Sequence, residues 1–386
     1  MPAMLQRLLQ PQKETFFLFG CRGTGKSTWI RQHYESAIRY DLLSNRERLR
    51  LSKDPSLIAS ELAHLPPKSW VVIDEIQKVP ELLDEVHKLI EEKRLRFILS
   101  GSSARKLRRG GANLLAGRAR IENLFPLVSD ELGDAFNLTR SLSYGGLPES
   151  VFSEEPKEFL RAYSEMYLEE EIKAEAFTRN LGGFARFLEI ASRQNGQVTN
   201  TANVARDAQV ARQTVQGYFG LLIDTLIGHW LPAWKLKRAT KQIAHPKFYF
   251  FDPGVCRALS GRLPYPPTAE ETGALFETLI LHELRAYLSY NHLHYPIHFW
   301  SSRDNVEVDV LIETATGFRA IELKSGTRWD RSFNKGLHRL QEEMKLTSRE
   351  LLGVYQGERE MMVDGIRVVP VAAFLSELWG GNWISK

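Results

Sequence analysis

The stretch FFLFGCRGTGKSTWIRQHY, residues 16–34, sets the fold of the N-terminal part of this chain. Four apolar residues predict a buried strand, the pattern G-x-x-x-x-G-K-S follows, and the remainder has the spacing of a helix. Glycines let a backbone approach phosphate oxygens closely, and the N–H groups at a helix start point at the anion. We therefore predict an α/β fold built around a P-loop.

The P-loop implies ATP and Mg²⁺ as cofactors. Lys26 is expected to neutralise the β- and γ-phosphates, and Ser27 to ligate Mg²⁺ through its hydroxyl. A chance match in a glycine-rich loop is disfavoured because a strand and a helix flank the motif. The full set of predicted nucleotide-binding residues is Gly20, Gly23, Gly25, Lys26, Ser27, Thr28 and Ser102.

A second motif, SWVVIDEIQKVP at residues 69–80, reads as a buried strand that ends in two acids. Asp74 is placed to hold Mg²⁺, directly or through water, and Glu75 to polarise the attacking water. The alternative is a helix N-terminus, where acids favour the dipole. With a P-loop upstream, the pair indicates ATP hydrolysis.

Residues 95–128, LRFILSGSSARKLRRGGANLLAGRARIENLFPLV, read as strand, helix and strand. The serines at the end of the first strand, including Ser100 and Ser102, are candidates to sense the γ-phosphate. Arg118 and Arg120 follow the helix, where an arginine finger would reach a neighbouring subunit's nucleotide. For Arg118 the alternative is a surface cation near a helix C-terminus.

This order of parts resembles the AAA+ ATPases. The segments ILSGSSARKL at 98–107 and LAGRARIENLFPLV at 115–128 are similar to one prokaryotic AAA+ family with an appended C-terminal domain, the AAA_14/DUF4143 type. The resemblance covers nearly the whole chain. It implies a homo-oligomer, such as a hexameric ring, with ATP sites between subunits.

The middle of the chain predicts helices and a DNA-binding unit. After an acidic amphipathic helix, TANVARDAQVARQTVQGYF at 201–219 has the spacing of a helix-turn-helix, whose second helix normally lies in the major groove. Such units also bind proteins, which is the alternative here. The residues predicted to face DNA on the second helix are Arg212, Gln213, Thr214 and Gln216.

Two predicted strands follow, joined by the basic segment KLKRATKQIAHP at 235–246. From Lys235 to Lys247 there are five Lys or Arg and no acid, as expected for the wing of a winged helix. Each phosphate neutralised would add about 0.9 to the salt slope of duplex binding. Cations on an exposed hairpin can also serve solubility alone. The predicted DNA contacts are Lys235, Lys237, Arg238 and Lys241.

Near the C-terminus, HFWSSRDNVEVDVLIETATGFRAIELKSG at 298–326 predicts a hairpin of two alternating strands. Pairing is expected to bring Asp309, Glu322 and Lys324 to one end of the sheet. Two carboxylates there would bind Mg²⁺, and the lysine would orient or activate water.

The D…E-x-K arrangement resembles the PD-(D/E)xK nuclease superfamily. The resemblance implies an acid on a preceding helix, for which Glu277 is the candidate and Glu283 a weaker one. Val308 stands where the family often has proline. Three interpretations remain open: a metal-dependent nuclease, a nucleic-acid-binding domain that does not cut, and a salt-bridged surface hairpin.

Composition sets outer limits on function. Lys and Arg exceed Asp and Glu by only 51 to 47, an excess too small to establish a nucleic-acid partner by itself. Cys21 and Cys256 lack metal-site spacing and are expected to be reduced thiols. No apolar run reaches the roughly 18 residues of a membrane span, and no secretion signal is evident, so we expect a cytoplasmic location.

We therefore predict an AAA+ ATPase domain at 1–135, a helical lid and winged helix at 136–250, and a restriction-endonuclease-like α/β domain at 251–386. The predicted function is DNA-dependent ATP hydrolysis that translocates on or remodels duplex or branched DNA, as in helicase or junction-migrating proteins of repair and recombination. One alternative is an ATP-regulated, Mg²⁺-dependent DNA endonuclease. The other is a regulatory ATPase whose winged helix binds protein.

Overall fold

The computed structural model describes residues 5–102, 115, 118–175, 181–234, 245–302, 304 and 306–384. Side chains of 167–175 are outside the description. The chain divides into two compact units, one formed by 1–127 with 224–226 and one by 128–223 with 227–386. Both mix helices and strands, as the sequence predicted. In the described part, no helix has both the length and the apolar character required to cross a membrane.

The first unit is built on a parallel five-stranded sheet of order β2-β3-β4-β1-β5. Its strands are β1 (Phe16–Phe19), β2 (Ile38–Asp41), β3 (Trp70–Asp74), β4 (Arg96–Gly101) and β5 (Arg120–Asn123). Its helices are α1 (Lys26–His33), α2 (Asn45–Lys53), α3 (Leu57–Glu61) and α4 (Leu82–Lys93).

Continuous apolar runs explain this sheet. β1 is buried at all four positions and β3 at its three central ones, as expected for strands covered on both faces. Val71, Ile73, Phe97 and Leu99 join one core cluster with residues of α4. Because all strands are parallel, the ends of β1, β3 and β4 lie at the same edge of the sheet.

Three residues from the middle of the chain complete the first unit. The segment 224–226 follows a long helix of the second unit, yet it groups with 1–127. Leu226 has a positive φ of 63° and packs against the core cluster. Its carbonyl accepts a 2.9 Å hydrogen bond from the Cys21 thiol in the P-loop.

The second unit begins with helices. They are α5 (Ser129–Leu132), α6 (Leu138–Tyr144), α7 (Pro148–Phe152), α8 (Pro156–Glu175), α9 (Leu181–Arg193), α10 (Thr201–Ala208) and α11 (Arg212–Asp224). An antiparallel pair follows, β6 (Gly228–Leu231) with β7 (Lys247–Phe250). The predicted helix-turn-helix and its two flanking strands are thus present.

The remainder of the second unit carries a mixed six-stranded sheet of order β12-β13-β11-β10-β9-β8. Its strands are β8 (Ile297–Ser301), β9 (Glu307–Thr314), β10 (Gly317–Lys324), β11 (Leu351–Tyr355), β12 (Met361–Val363) and β13 (Ile366–Pro370). The helices are α12 (Pro253–Leu259), α13 (Ala269–Tyr290), α14 (Lys335–Met344) and α15 (Val371–Trp379).

The predicted C-terminal hairpin is formed by β9 and β10, which pair antiparallel with Ile321 opposite Val310. The long helix α13 precedes the sheet and starts with a capping box, in which Thr268 and Glu271 satisfy each other's backbone N–H groups. The two segments predicted as separate modules, 136–250 and 251–386, fall within one compact unit apart from residues 224–226.

Candidate functional sites

The nucleotide site lies at the ends of β1, β3 and β4. Lys26 Nζ donates to the carbonyls of Gly20 at 2.8 Å and Cys21 at 3.1 Å, so it lies over the loop that would hold phosphates. Burial lowers the pKa of Lys26, and the nearby Glu75 opposes that shift. Gly20 is required, since a Cβ there would lie 2.4 Å from the Leu124 carbonyl oxygen.

The residues predicted to hold Mg²⁺ lie together in this site. Ser27 Oγ lies 3.1 Å from Asp74 Oδ2, and Ser100 Oγ donates to the other oxygen of Asp74. A hydroxyl and a carboxylate side by side are the donors expected for Mg²⁺ bound with ATP, so these residues fit the ion. Thr28 follows Ser27 in α1 and is exposed.

Glu75 has an unusual backbone conformation, and its side chain contacts a glutamine that no motif marks. Its φ of 57° and ψ of 45° are left-handed, and such strain in a non-glycine residue is concentrated at functional sites. Gln77 Nε2 donates to Glu75 Oε2 and, at 3.3 Å, lies near Ser102 Oγ. Burial raises the pKa of Glu75, while Lys26 opposes the rise.

A second missed residue supports the P-loop from the N-terminal segment. Arg7 is 7% exposed and donates to the Thr24 carbonyl at 2.7 Å and the Phe125 carbonyl at 2.5 Å. It thus connects the loop to the chain just beyond β5. No motif marks Arg7, because its partners are 17 and 118 residues away.

The predicted arginine fingers are surface residues of the first unit. Arg118 Nε pairs with Glu91 of α4 at 2.5 Å, and both side chains are substantially exposed. Arg120 begins β5 and is exposed. Their role at a neighbouring subunit's nucleotide stays a prediction. The helix predicted before them falls largely outside the described residues.

The predicted DNA-binding helix α11 exposes the expected face. Arg212, Gln213 and Gln216 are exposed and Thr214 is half-buried, whereas Val215, Tyr218 and Phe219 are buried. Arg212 Nε also lies 3.3 Å from Thr201 Oγ1 at the start of α10. The predicted wing residues Lys235, Lys237, Arg238 and Lys241 lie outside the described part of the chain.

The C-terminal hairpin brings together the predicted carboxylates and lysine. Asp309 Oδ2 accepts the Leu323 N–H at 2.7 Å, and Lys324 Nζ donates to Glu322 Oε1 at 2.6 Å. Burial and the neighbouring Asp309 raise the pKa of Glu322 to about 8. Burial and the same aspartate raise the pKa of Glu277, on helix α13, to about 7.

The weaker candidate, Glu283, serves another purpose. It is 1% exposed and accepts hydrogen bonds from the Ser129 N–H at 2.7 Å, the Ser129 hydroxyl at 3.0 Å and Trp379 Nε1 at 2.7 Å. Glu283 therefore ties α5 and α15 to α13. Because its hydrogen bonds join these helices, Glu283 has a structural role.

The carboxylates near the C-terminal hairpin are contacted by cations and a hydroxyl of the chain itself. Across the described ranges, no group of three or more His, Cys, Asp or Glu side chains is arranged to hold a metal ion. Two lysines and a tyrosine contact the carboxylates: Lys247 with Glu307, Lys324 with Glu322 and Tyr249 with Glu277. The metal role of Glu277, Asp309 and Glu322 stays a prediction.

These features define a P-loop ATPase of the AAA type in the first unit. The family model "AAA domain" matches residues 12–133, which confirms the resemblance drawn from the motifs. Two domains of unknown function follow, DUF8612 at 135–265 and DUF4143 at 272–374. The second of these is the predicted appended domain. The matches do not describe it as a nuclease.

Relatives extend over nearly the whole chain. An uncharacterized protein of Mycobacterium tuberculosis and one of Mycobacterium bovis are each 27% identical over 387 residues, covering 97% of this chain and 83% of the relative.

Solved structures give weaker likenesses. The Aeropyrum pernix Orc1 protein in complex with DNA covers 65% of this chain and 87% of its own, with 12% identity and a TM-score of 0.30. The Bacillus subtilis DNA clamp loader delta protein covers 54% and 82%, with 14% identity and a TM-score of 0.25. Because both scores are low, the fold assignment rests on the sheet and the phosphate loop.

Proposed function

We propose that the protein is a DNA-dependent AAA+ ATPase that translocates on or remodels duplex or branched DNA. The observation that carries the DNA assignment is the face of α11, where Arg212, Gln213 and Gln216 are exposed at the start of the second helix of a helix-turn-helix. This is the part of such a unit that enters the major groove. The basic segment 235–246 would add phosphate contacts.

In the proposed ATPase reaction, each residue of the nucleotide site has one task. Lys26 leaves the carbonyls of its own loop and donates to the β- and γ-phosphates, while Ser27 and Asp74 hold Mg²⁺. When bound, the ion neutralises charge that develops on the transferred phosphoryl group. Glu75 orients the attacking water, and Ser102 lies where it would sense the γ-phosphate.

We further propose that the protein works as a homo-oligomer, with Arg118 or Arg120 acting at the nucleotide of a neighbouring subunit. Both residues are exposed, as such a role requires. The arrangement of the acid cluster favours remodelling over cleavage, since the described carboxylates are not disposed as a metal site.

The test is the steady-state ATPase rate with no DNA, linear duplex, single-stranded DNA and a four-way junction. We expect at least one DNA to stimulate hydrolysis, and Lys26→Ala to lower the rate by about 100-fold or more, because it removes the charge that stabilises the transition state. Lys53→Ala, at the end of α2, is the matched control.

The same reactions are run on a gel to follow the DNA. Rearranged but intact strands would support remodelling. Identical ATPase rates with all four conditions would refute the DNA dependence, and metal-dependent fragments that persist in Lys26→Ala would instead support the endonuclease alternative.

A further inference from the structure

The C-terminal acid cluster consists of Glu277, Glu307, Asp309 and Glu322. A lysine of the preceding strand β7 contacts this cluster. Lys247, the first residue of β7, is only 6% exposed, and its Nζ lies 2.9 Å from Glu307 Oε2. Glu307 and Asp309 are two apart on β9 and so share a face of the sheet. The sequence groups Lys247 with the basic residues of the predicted wing, but in the structure its side chain pairs with a carboxylate of the second unit.

The charge of Lys247 is stabilised by several carboxylates. Burial alone would lower the pKa of this lysine, but Glu277, Asp309 and Glu307 outweigh it and raise the pKa. The ammonium also lies 5.1 Å from the centre of the Phe299 ring, a cation–π contact. A buried ammonium in such surroundings remains charged and acts as a fixed cation.

The strand that carries Lys247 is anchored on the same cluster. Tyr249, two residues along β7, donates its hydroxyl to Glu277 Oε2 at 2.5 Å. The Phe250 N–H donates to Asn195 Oδ1, and Asn195 Nδ2 donates to Thr278 Oγ1, both at 2.8 Å. Lys247 is therefore held by a network that spans β7 and α13.

The cluster nevertheless retains an unsatisfied acceptor. Glu322 is 7% exposed, and its Oε2 has no hydrogen-bond partner, although Lys324 takes Oε1. Leaving a buried carboxylate oxygen without a partner costs folding free energy. Such an unpaired oxygen is expected where a group of ligands is arranged to bind a cation. Four carboxylates face two lysines, so the cluster keeps an excess of negative charge when all are ionised.

A cavity borders the Glu277 side of this cluster. It has a volume of about 500 Å³ and is lined by Asn195, Gly196 and Glu277, among others. Gly196 has a φ of 78°, and a Cβ there would lie 3.1 Å from Tyr249 Cε1 and 3.6 Å from Glu277 Oε2. The glycine thus leaves the carboxylate of Glu277 bordering the cavity.

We propose that Lys247 is the built-in cation of the C-terminal acid cluster, so that the cluster excludes divalent metal while this ammonium is in place and becomes a metal site when it is removed. The proposal concerns the second unit alone. It goes beyond ATP-driven DNA remodelling and is tested without nucleotide or DNA.

The experiment measures Mn²⁺ binding by electron paramagnetic resonance of the free ion in the full chain. All proteins carry Asp74→Asn, which removes the carboxylate of the nucleotide-site metal. We expect Lys247→Met to tighten Mn²⁺ binding at least about tenfold relative to this parent, because a competing positive charge is lost. Lys247→Arg, which keeps the charge, should bind as weakly as the parent.

A second substitution locates the ion. Adding Glu322→Gln to Lys247→Met should abolish the gain, and Mn²⁺ should raise the melting temperature of Lys247→Met but not of the parent. Lys247→Gln, which keeps a donor for Glu307, replaces Lys247→Met if that variant does not fold. Equal Mn²⁺ affinity in the parent and a folded neutral variant would overturn the proposal, as would a gain that survives Glu322→Gln.

Discussion

At the scale of single residues, sequence motifs predict the chemical groups but not their supports. Lys26, Ser27 and Asp74 were assigned because their motifs have a fixed spacing and one chemical explanation, and the structure brings them together. Arg7 and Gln77 were missed. In the sequence Arg7 cannot be told from a surface arginine. Nothing in the sequence marks Gln77 as the partner of Glu75, whose backbone is left-handed.

Arg7 offers a test of how the P-loop is supported. Arg7→Met removes two hydrogen bonds to carbonyls and leaves the Thr24 carbonyl without that donor. Buried hydrogen bonds from a charged group contribute about 1.5–3 kcal/mol each, so we expect ATP affinity to fall roughly tenfold or more. Titration with a fluorescent ATP analogue measures this, and thermal unfolding should show a lower melting temperature.

The matched control is Arg48→Met on α2, whose half-buried side chain donates only to Asn45 among the contacts described. It should bind nucleotide like the wild type. Unchanged affinity in Arg7→Met would mean that the P-loop holds its shape without this side chain.

At the scale of elements, periodicity was sufficient for type and placement. The predicted second helix begins at Arg212 as expected, and the hairpin of β9 and β10 forms as predicted. Its burial alternates only at the start of β9, because β10 has four consecutive buried residues, 320–323. What periodicity could not show is the partner of each face. β7 is buried at all four positions, and Lys247 forms a salt bridge with Glu307, which lies sixty residues later in the chain. Such a pairing depends on tertiary packing, which local sequence patterns do not predict.

Helix α11 carries the prediction for DNA. Arg212→Ala should weaken duplex binding and reduce the slope of log K against log salt by about 1, because one phosphate contact is lost. Fluorescence anisotropy over a range of salt concentrations gives both quantities. Arg161→Ala, an exposed arginine of α8 paired with Glu158, is the control and should leave the slope unchanged. An unaltered slope in Arg212→Ala would argue that this helix contacts protein instead.

At the scale of the whole molecule, the sequence predicted the order of the parts, and family matches confirm the AAA domain and the appended DUF4143 domain. The three-module division remains a prediction. The middle and C-terminal segments share buried polar contacts such as Tyr249 to Glu277 and Asn195 to Thr278. Those contacts join residues from both sides of the predicted boundary at 250, and nothing in local composition marks them.

Glu283, buried among donors of α5 and α15, should make stability depend on pH. Burial raises its pKa from the usual 4.5 to about 7. The folded chain therefore keeps this proton where the unfolded chain has lost it, so the contribution of Glu283 to stability is lost as pH rises from about 4.5 to about 7. Glu283→Gln cannot titrate, and its free energy of unfolding should fall less between pH 5 and 8.

Urea unfolding followed by circular dichroism at several pH values measures the difference. Other buried acids, including Asp252 and Glu322, are present in both proteins and largely cancel in the comparison. Parallel curves of unfolding free energy against pH for the wild type and Glu283→Gln would contradict the assignment.

The return of residues 224–226 to the first unit has a consequence for biosynthesis. A ribosome releases the chain from its N-terminus, and domains generally fold as they emerge. The five-stranded sheet is complete once β5 has been made, but the carbonyl that accepts from Cys21 belongs to Leu226. The nascent ATPase domain therefore gains this contact to its phosphate loop only after roughly a further hundred residues have been made, and until then the Cys21 thiol lacks its hydrogen bond to the Leu226 carbonyl.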